Sequence, residues 1–236
     1  MNMKKTAIMQ PYIFPYLGYF QLIHAVDTFV FYDDVNFIKG GWINRNRILL
    51  NGRDFFLTVP CRQISPYKLI NETEFDNQRP EFKKLNKTLE QAYKKAPYYE
   101  PVAEIIESIL NTNTNLISEL AECSIRTIVE YLDISVEFKK SSVDFPFTKE
   151  AVKADRIIAI CNALNSQHYI NPIGGQELYD KAYFNQHDIQ LNFIKSQPQE
   201  YTQFNNTFVP GLSIIDVMMF NDKETIKTML DQYELI

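Results

Sequence analysis

Long apolar runs, paired cysteines and clustered histidines are all missing from this sequence, and each absence excludes a class of protein. A membrane-spanning helix needs about 20 mostly apolar residues in a row, and the 236 residues contain no such run. The 3 cysteines lie far apart without CxxC spacing, which argues against a disulfide framework and against the usual zinc clusters. We therefore expect a cytoplasmic protein with no membrane span, no secretion signal and no metal site.

The sequence also contains fewer basic than acidic residues. The 24 Lys and Arg residues are outnumbered by 29 Asp and Glu residues, which gives a net charge of -5. Nucleic-acid binders usually carry a basic excess because much of their affinity comes from neutralising phosphates. We therefore expect no DNA partner, although a local basic pocket for a phosphorylated small molecule stays open.

Strands and helices alternate near both ends of the chain. Residues 6–10 form a short apolar run, residues 16–26 have helical periodicity, and residues 28–32 are a β-branched and aromatic run. This order predicts a βαβ unit with parallel strands. Alternation returns after residue 136. The fold class we predict is α/β, with a mostly parallel sheet flanked by helices, nucleotidylyltransferase-like or Rossmann-like.

Two further features modify that plan. Asn51-Gly52 lies between two apolar runs and predicts a β-hairpin, because a type I′ turn needs two positive φ angles. Residues 80–131 contain three stretches with helical periodicity, at 81–94, 101–110 and 115–131. We predict a single α/β domain over 1–236 with 80–131 as a helical insert or subdomain, and closing helices at 213–221 and 223–233.

Polar residues follow several of the predicted strands. Gln10 follows the first strand, Asp33 and Asp34 the second, and Asn171, Gly174 and Gly175 the strand that contains Tyr169-Ile170. Ligands of parallel sheets bind outside the carboxyl ends of the strands. The two aspartates could hold Mg²⁺ or act as a general base, or they could only shape a turn. Neighbouring residues of a strand face opposite sides, so we expect one of them to reach a ligand.

The most distinctive stretch is residues 39–47, KGGWINRNR. Guanidinium groups bind phosphate or carboxylate in a bidentate fork, amides can read sugar hydroxyls, and an indole can stack on a ring. The stretch thus predicts a site for an anionic ligand built by Lys39, Trp42, Asn44, Arg45 and Arg47. The alternative is a solvated loop with Trp42 packed on the core.

The loop after the first strand, residues 10–20, is rich in aromatic residues and proline. Tyr12 and Tyr16 could line a pocket, or the whole segment could be a rigid plug at the end of the sheet. Gly18 would allow close approach of a ligand or a strand to the helix that follows.

Three residues have competing structural and functional interpretations. His24 falls on the apolar side of the first predicted helix, which favours a core histidine over a catalytic one. Ser213 and Asp216 have the spacing of a capping box at a helix start, although such a start can also present N–H groups to a ligand. No HExxH, GxSxG or GxxxxGK[ST] motif occurs.

Six blocks of the sequence resemble the WbqC-like family. They span nearly the whole chain: QPYIFPYLGYF (10–20), FYDDVNF (31–37), GWINRNRI (41–48), LTVP (57–60), YINPIGG (169–175) and FVPGLSIID (208–216). Tyr16 and Gly211 depart from the family pattern, which has tryptophan and asparagine there in many members. The resemblance implies an enzyme of O-antigen or other surface polysaccharide biosynthesis. The implied reaction is acylation, in particular glycylation, of an amino sugar carried by a nucleotide.

If the resemblance holds, the residues singled out above take definite roles. Lys39, Arg45 and Arg47 would hold the nucleotide diphosphate, and Trp42, Tyr12 or Tyr16 would stack on base or sugar. The sugar ammonium would lose its proton to Asp33, Asp34 or His24, and backbone N–H groups near Gly174 and Gly175 would stabilise the oxyanion. The acyl donor, the cofactor and the oligomeric state stay open.

Two other functions compete with this transfer. One is a nucleotide-binding enzyme of nucleotidylyltransferase-like fold that activates an acyl group with ATP, although the paired histidines of those enzymes are absent. The other is a non-catalytic binding protein of a polysaccharide assembly complex.

Overall fold

One six-stranded sheet organises the molecule, with the strand order β5-β2-β1-β6-β7-β8. Our computed structural model describes residues 3–197, 199–205 and 207–236. The first five strands of that order are parallel and β8 is antiparallel to β7. A separate antiparallel hairpin contains β3 and β4. The strands are β1 (Lys5–Met9), β2 (Thr28–Phe31), β3 (Arg45–Leu50), β4 (Arg53–Thr58), β5 (Glu137–Lys140), β6 (His168–Pro172), β7 (Gln190–Ser196) and β8 (Tyr233–Leu235).

Helices cover both faces of the sheet. They are α1 (Leu17–His24), α2 (Pro80–Lys83), α3 (Leu85–Tyr93), α4 (Tyr99–Leu110), α5 (Ile117–Tyr131), α6 (Ser141–Asp144), α7 (Ala154–Ala163), α8 (Lys181–Asn185), α9 (Ile214–Phe220) and α10 (Lys223–Leu230). The predicted α/β class and its mostly parallel sheet are thus confirmed. None of the helices in the described ranges has the length and apolar character needed to cross a bilayer.

Alternate side chains of the strands pack into two different apolar clusters. Phe29 and Phe31 point to the face covered by α1 and by the helices of residues 80–131, whereas Val30 points to the face covered by α7 and α8. All three side chains are fully buried. Because a strand buried on both faces needs apolar residues at every position, the run TFVF forms a central strand.

The predicted hairpin turn is confirmed at Asn51-Gly52. Both residues have positive φ angles, 54° and 75°, as a type I′ turn requires. The β3 and β4 strands pair from Arg45 opposite Thr58 to Leu50 opposite Arg53. This hairpin projects Arg45 and Arg47 from a fixed backbone.

The chain departs from prediction at its last residues and within 81–94. The predicted helix 223–233 ends at Leu230, and Tyr233–Leu235 pair with β7 instead. The open edge of β7 offers N–H and C=O partners that no local sequence pattern reveals, so tertiary pairing overrides helical periodicity. The predicted helix 81–94 is divided at Lys84.

Candidate functional site

A cleft opens where the direction of strand order reverses. The chain continues from β1 to β2 on one side, and β6 lies against the other side of β1. The diverging connections leave a crevice at the carboxyl ends of β1 and β6, which is the usual ligand position in doubly wound sheets. We call it the switch-point cleft. Its volume is about 330 Å³, and its lining includes Gln10, Tyr12, Tyr32, Asn171, Gly174, Gly175 and Tyr179.

Asn171 is held at this cleft by two neighbours. Its Nδ2 donates to the Tyr169 hydroxyl over 2.7 Å. A Cβ on Gly175 would lie 2.5 Å from Asn171 Oδ1, whereas a Cβ on Gly174 would meet no atom within 4 Å. Gly175 is therefore required by the packing of the asparagine amide. In the described part of the chain no donor bonds Asn171 Oδ1, so this oxygen can accept from a ligand.

The residues that form the walls of the cleft are neutral near pH 7. Burial, followed by the proximity of Tyr16, raises the pKa of Tyr12 to about 12. Burial also raises the pKa of Tyr32 and of Tyr179. These phenols keep their protons and can donate hydrogen bonds. Together with the amides of Gln10 and Asn171 they suit a ligand part rich in hydroxyls rather than a charged one.

Asp33 and Asp34 lie at the end of β2, but their oxygens are engaged. Asp33 accepts from the Ser142 hydroxyl at 2.7 Å and from the Ser142 N–H at 3.1 Å. Asp34 accepts from Arg156 Nη2 at 2.5 Å, and Ser141 Oγ lies 2.5 Å from its other oxygen. Both side chains are buried. In the described ranges no group of three or more acidic, histidine or cysteine side chains could hold a metal ion.

The two aspartates follow the end of β2 and share the Ser141 hydroxyl, which lies 3.1 Å from Asp33 Oδ1 and 2.5 Å from Asp34 Oδ1. Beyond that shared contact they differ, because Asp33 binds Ser142 of α6 and Asp34 binds Arg156 of α7. The Arg156 guanidinium that pairs with Asp34 also lies 4.8 Å from the centre of the Tyr32 ring. Since Tyr32 lines the switch-point cleft, this pair positions one of its walls.

The stretch 39–47 does not join the switch-point cleft as a unit. Arg45 donates to the carbonyl oxygens of Gly40 and Gly41 and packs over Phe56. Asn44 is buried and donates to Val59 O. The side chains of Asn44 and Arg45, which we predicted to contact a ligand, therefore bond the backbone of the protein and hold the turn in place. Lys39 is exposed in the turn, and Trp42 is 40% exposed rather than packed in the core.

Arg47 lines a different cleft, which we call the Arg47 cleft. Its volume is about 380 Å³, and its lining includes Tyr16, Gly18, Arg47, Tyr201, Phe208 and Gly211. The residues after the strands and Arg47, which we expected to act on one substrate, therefore line two different clefts. The physical reason is that Ile13 N–H donates to Ile43 O and Asn46 Nδ2 donates to Ile13 O. These bonds hold the loop 10–16 between the base of the hairpin and the strand ends, so that Tyr12 faces one cleft and Tyr16 the other.

Comparison with known proteins identifies the family of the chain. A model of the WbqC-like protein family matches residues 10–228. The chain belongs to the WbqC-like family. It is 30% identical over 224 residues, 93% of this chain and 94% of the relative, to "Uncharacterized protein Rv1507c" of Mycobacterium tuberculosis. No solved structure shows significant similarity to it. The stretch matched to the WbqC-like family begins at Gln10 and includes residues of both clefts.

Several residues of this WbqC-like protein lie away from both clefts. His24 is exposed and is not a core residue, contrary to the interpretation from the sequence. Its Nε2 lies 3.1 Å from Asp231 Oδ1. It ends α1, which starts at the carboxyl edge of the sheet and runs back. His24 therefore lies at the opposite edge from the switch-point cleft, and a role as catalytic base is corrected to that of a surface ion-pair partner.

Ser213 and Asp216 serve the interior. Ser213 caps α9 as predicted, because its Oγ accepts from Ile215 N–H at 3.2 Å. Asp216 does not complete a capping box. It is fully buried, and its oxygens accept from Tyr93, Tyr201 and Gln203 at 2.7–2.8 Å. The Ser213 N–H that a capping box would use already donates to Arg47 O.

Sequence reasoning missed Glu122 and Arg156. Glu122 is 4% exposed and pairs with Lys140 at 3.0 Å, while its Oε1 has no partner in the described part of the molecule. Burial raises its pKa, and the nearby Asp33 adds to the rise. Both residues stand within amphipathic helices, α5 and α7, and pair with residues distant in sequence, Glu122 with Lys140 at the end of β5 and Arg156 with Asp34 after β2. The only signal in the sequence was a charged residue on the side of each helix that is otherwise apolar and buried.

Proposed function

We propose that this WbqC-like protein is a transferase that places a small acyl group, such as glycyl, on the amino group of a nucleotide-linked sugar for a surface polysaccharide. The observation that carries this proposal is the switch-point cleft, with neutral polar walls and a volume of about 330 Å³. Walls of amides and phenols match the hydroxyl groups of a sugar ring, and the volume falls in the range of small-molecule sites. The family resemblance supports the acyl transfer.

The chemistry we propose for the cleft is mainly positioning. A sugar ammonium must lose a proton before its nitrogen can attack an acyl carbon. The oxygens of Asp33 and Asp34 already accept hydrogen bonds from Ser141, Ser142 and Arg156. We therefore assign them to holding the ends of β2 and β5. The cleft then acts by orienting the free amine towards the donor, an effect that can supply much of an enzymatic rate enhancement.

A glycine pair provides the sharpest test. Gly175→Ala should push the Asn171 amide out of place, whereas Gly174→Ala adds a methyl group in open space. We expect Gly175→Ala to weaken binding of UDP- or dTDP-linked amino sugars at least about tenfold, equivalent to about 1.4 kcal/mol. The Gly174→Ala control should bind as the wild type does. Thermal shift titration measures both, since a ligand bound to the native state raises its melting temperature.

Mass spectrometry then tests the reaction itself. An amino-sugar nucleotide incubated with the protein and candidate acyl donors should gain the mass of the acyl group. Equal binding by both glycine variants would remove the switch-point cleft from the site, and binding without any acylated product would argue against transfer.

Nucleotide activation is the second candidate, and the strand order favours it. The order β5-β2-β1-β6-β7 has the pattern of doubly wound sheets that bind nucleotides at the reversal point. Stabilisation by ATP alone, without an effect of amino-sugar nucleotides, would select this function. No effect of either ligand would favour a scaffolding protein.

We also propose a cytoplasmic location. All 3 cysteines are free, and Cys61 and Cys161 are buried, with the pKa of each raised by burial to about 12. Buried thiols that face no partner cysteine suit a reducing compartment. Nucleotide-linked sugars would be found in the same compartment under this proposal.

A further inference from the structure

The Arg47 cleft is separate from the switch-point cleft and differs from it in chemistry. Its walls are largely aromatic and apolar, formed by Tyr16, Tyr201, Phe208, Pro210 and Leu212. Arg47 is the one charged side chain among the residues that line it in the described ranges. The Arg47 cleft thus places a guanidinium beside aromatic walls, whereas the lining of the switch-point cleft, within the described part of the chain, contains no charged side chain.

Arg47 is fixed in place by the backbone around Gly211. Its Nη2 donates to Gly211 O at 3.0 Å, and Gly211 has a φ of 67°. A Cβ at Gly211 would lie 3.1 Å from Arg47 Nη2. Glycine therefore serves both the left-handed conformation and the close approach of the guanidinium. Within the described part of the molecule, Arg47 Nε is buried and has no acceptor.

One carboxylate, that of Asp54, pairs with this arginine and does not neutralise it fully. Asp54 Oδ2 is 3.6 Å from Arg47 Nη1, and both side chains are partly exposed, so the pair is weak. Asp216 is buried behind Tyr201 and accepts three hydrogen bonds. The guanidinium thus keeps donors for an external anion.

The aromatic walls are rigid. The Tyr16 ring lies over Gly18, where a Cβ would be 2.4 Å from the ring. Tyr201 is anchored by its hydroxyl on Asp216 at 2.7 Å, and its ring packs edge-on against Phe208 with centroids 5.1 Å apart. Burial raises the pKa of Tyr201, so its phenol stays neutral. Ser196 and Gln199 add hydrogen-bonding groups to the lining.

We infer that the Arg47 cleft binds a nucleotide, with the base between the aromatic walls and a phosphate on Arg47. Bases stack on aromatic side chains with little dependence on sequence, and guanidinium binds phosphate in a charge-assisted fork. The nucleotide can belong to the sugar substrate or be a free ATP. This inference rests on the proposed function only for the identity of the nucleotide, because both candidate functions require one.

Binding of UDP, which carries no sugar, isolates this cleft. At fixed ionic strength, calorimetric titration should show that Arg47→Met weakens UDP binding about tenfold or more. Asp54→Asn removes a competing carboxylate and should strengthen it a few-fold. Arg53→Met is the matched control, because Arg53 is an exposed arginine of the same hairpin that does not line the cleft. That control should change binding less than about threefold, the size of a screened surface charge effect.

The outcomes separate this inference from the proposed function. Gly175→Ala should leave UDP binding intact while it removes the extra affinity of UDP-linked amino sugar. ATP in place of UDP distinguishes the two sources of the nucleotide. If Arg47→Met does not fold, as judged by circular dichroism, Asp54→Asn decides. The inference would be overturned if the folded Arg47→Met variant bound UDP with wild-type affinity. It would also be overturned if Arg47→Met did not fold and Asp54→Asn bound UDP with unchanged affinity. Failure of the wild type to bind either UDP or ATP would overturn it as well.

Discussion

Replacing Arg156 by methionine tests how the fold supports the switch-point cleft. The Arg156 and Asp34 side chains are 4% and 8% exposed, and their Nη2 and Oδ2 atoms are 2.5 Å apart. Arg156 Nε also donates to Thr148 Oγ1 at 3.3 Å, and the guanidinium covers the Tyr32 ring. The methionine fills a similar volume but leaves the Asp34 carboxylate with the Ser141 hydroxyl as its remaining side-chain hydrogen-bond partner in the described ranges.

The magnitude follows from the burial of both charges. Removing one partner of a buried ion pair costs about 3–5 kcal/mol, because the other charge is left without compensation. The lost contact with Tyr32 adds about 0.5–2 kcal/mol. We expect Arg156→Met to lower the free energy of unfolding by about 4 kcal/mol, a large part of the roughly 5–15 kcal/mol available to a protein.

A double-mutant cycle isolates the pair. Asp34→Asn combined with Arg156→Met removes both charges of the pair, so the double variant should lose less stability than the two single variants added together, by about 2 kcal/mol or more. Urea unfolding followed by circular dichroism gives each value. Arg126→Met is the control, because Arg126 is exposed and packs over Phe31 and Phe138. It should cost less than about 1 kcal/mol.

Two results would refute this reasoning. A loss below about 1 kcal/mol in Arg156→Met would mean that water reaches Asp34. Additive losses in the cycle would mean that the two groups do not interact, whatever their separation. A variant that folds normally and binds amino-sugar nucleotides as the wild type does would show that Tyr32 needs no support.

Two further predictions concern Asp216 and His24. Burial raises the folded-state pKa of Asp216. Between the unfolded and folded pKa values the folded state holds more protons, so this group makes the protein more stable as pH falls through that range. In urea unfolding, the stability of the wild type relative to Asp216→Asn should therefore rise as the pH is lowered from neutral towards the ordinary carboxyl pKa, and a difference that does not change with pH would contradict the raised pKa. His24→Ala should cost less than about 1 kcal/mol, because its pair with Asp231 is exposed. It should leave UDP-amino sugar binding unchanged in calorimetry, and a loss of binding would return His24 to the site.

Local chemistry made most of the fold predictable from the sequence. The β-branched and aromatic run TFVF is typical of a buried strand, and Asn51-Gly52 favours a hairpin turn through its backbone angles. The strand β8 could not be predicted, because its partner β7 lies 37 residues earlier, with Tyr233 opposite Ser196. The pairing of an edge strand depends on where tertiary structure leaves that edge open.

The candidate site was predictable only where sheet geometry dictates it. Gln10 and Asn171 meet because the carboxyl ends of adjacent parallel strands meet. Arg45 and Arg47 stand two residues apart on a strand, but one bonds its own turn and the other lines a cleft built by residues near Tyr201. Their roles depend on docking between the hairpin and distant loops, which a pattern of residue types does not contain.

The loop between β1 and α1 explains why two unlike clefts lie side by side. Phe14 has a φ of 42°, a conformation that an L residue adopts at a cost of about 1–2 kcal/mol. The surroundings hold it there, because Phe14 N–H donates to Ser124 Oγ and Phe14 O accepts from Ser213 Oγ. Strain maintained in this way is a mark of functional segments. With its backbone tied to α5 and α9, the loop keeps Tyr12 and Tyr16 at a set separation. A fixed distance between the switch-point cleft and the Arg47 cleft is what the two-part substrate we propose would require.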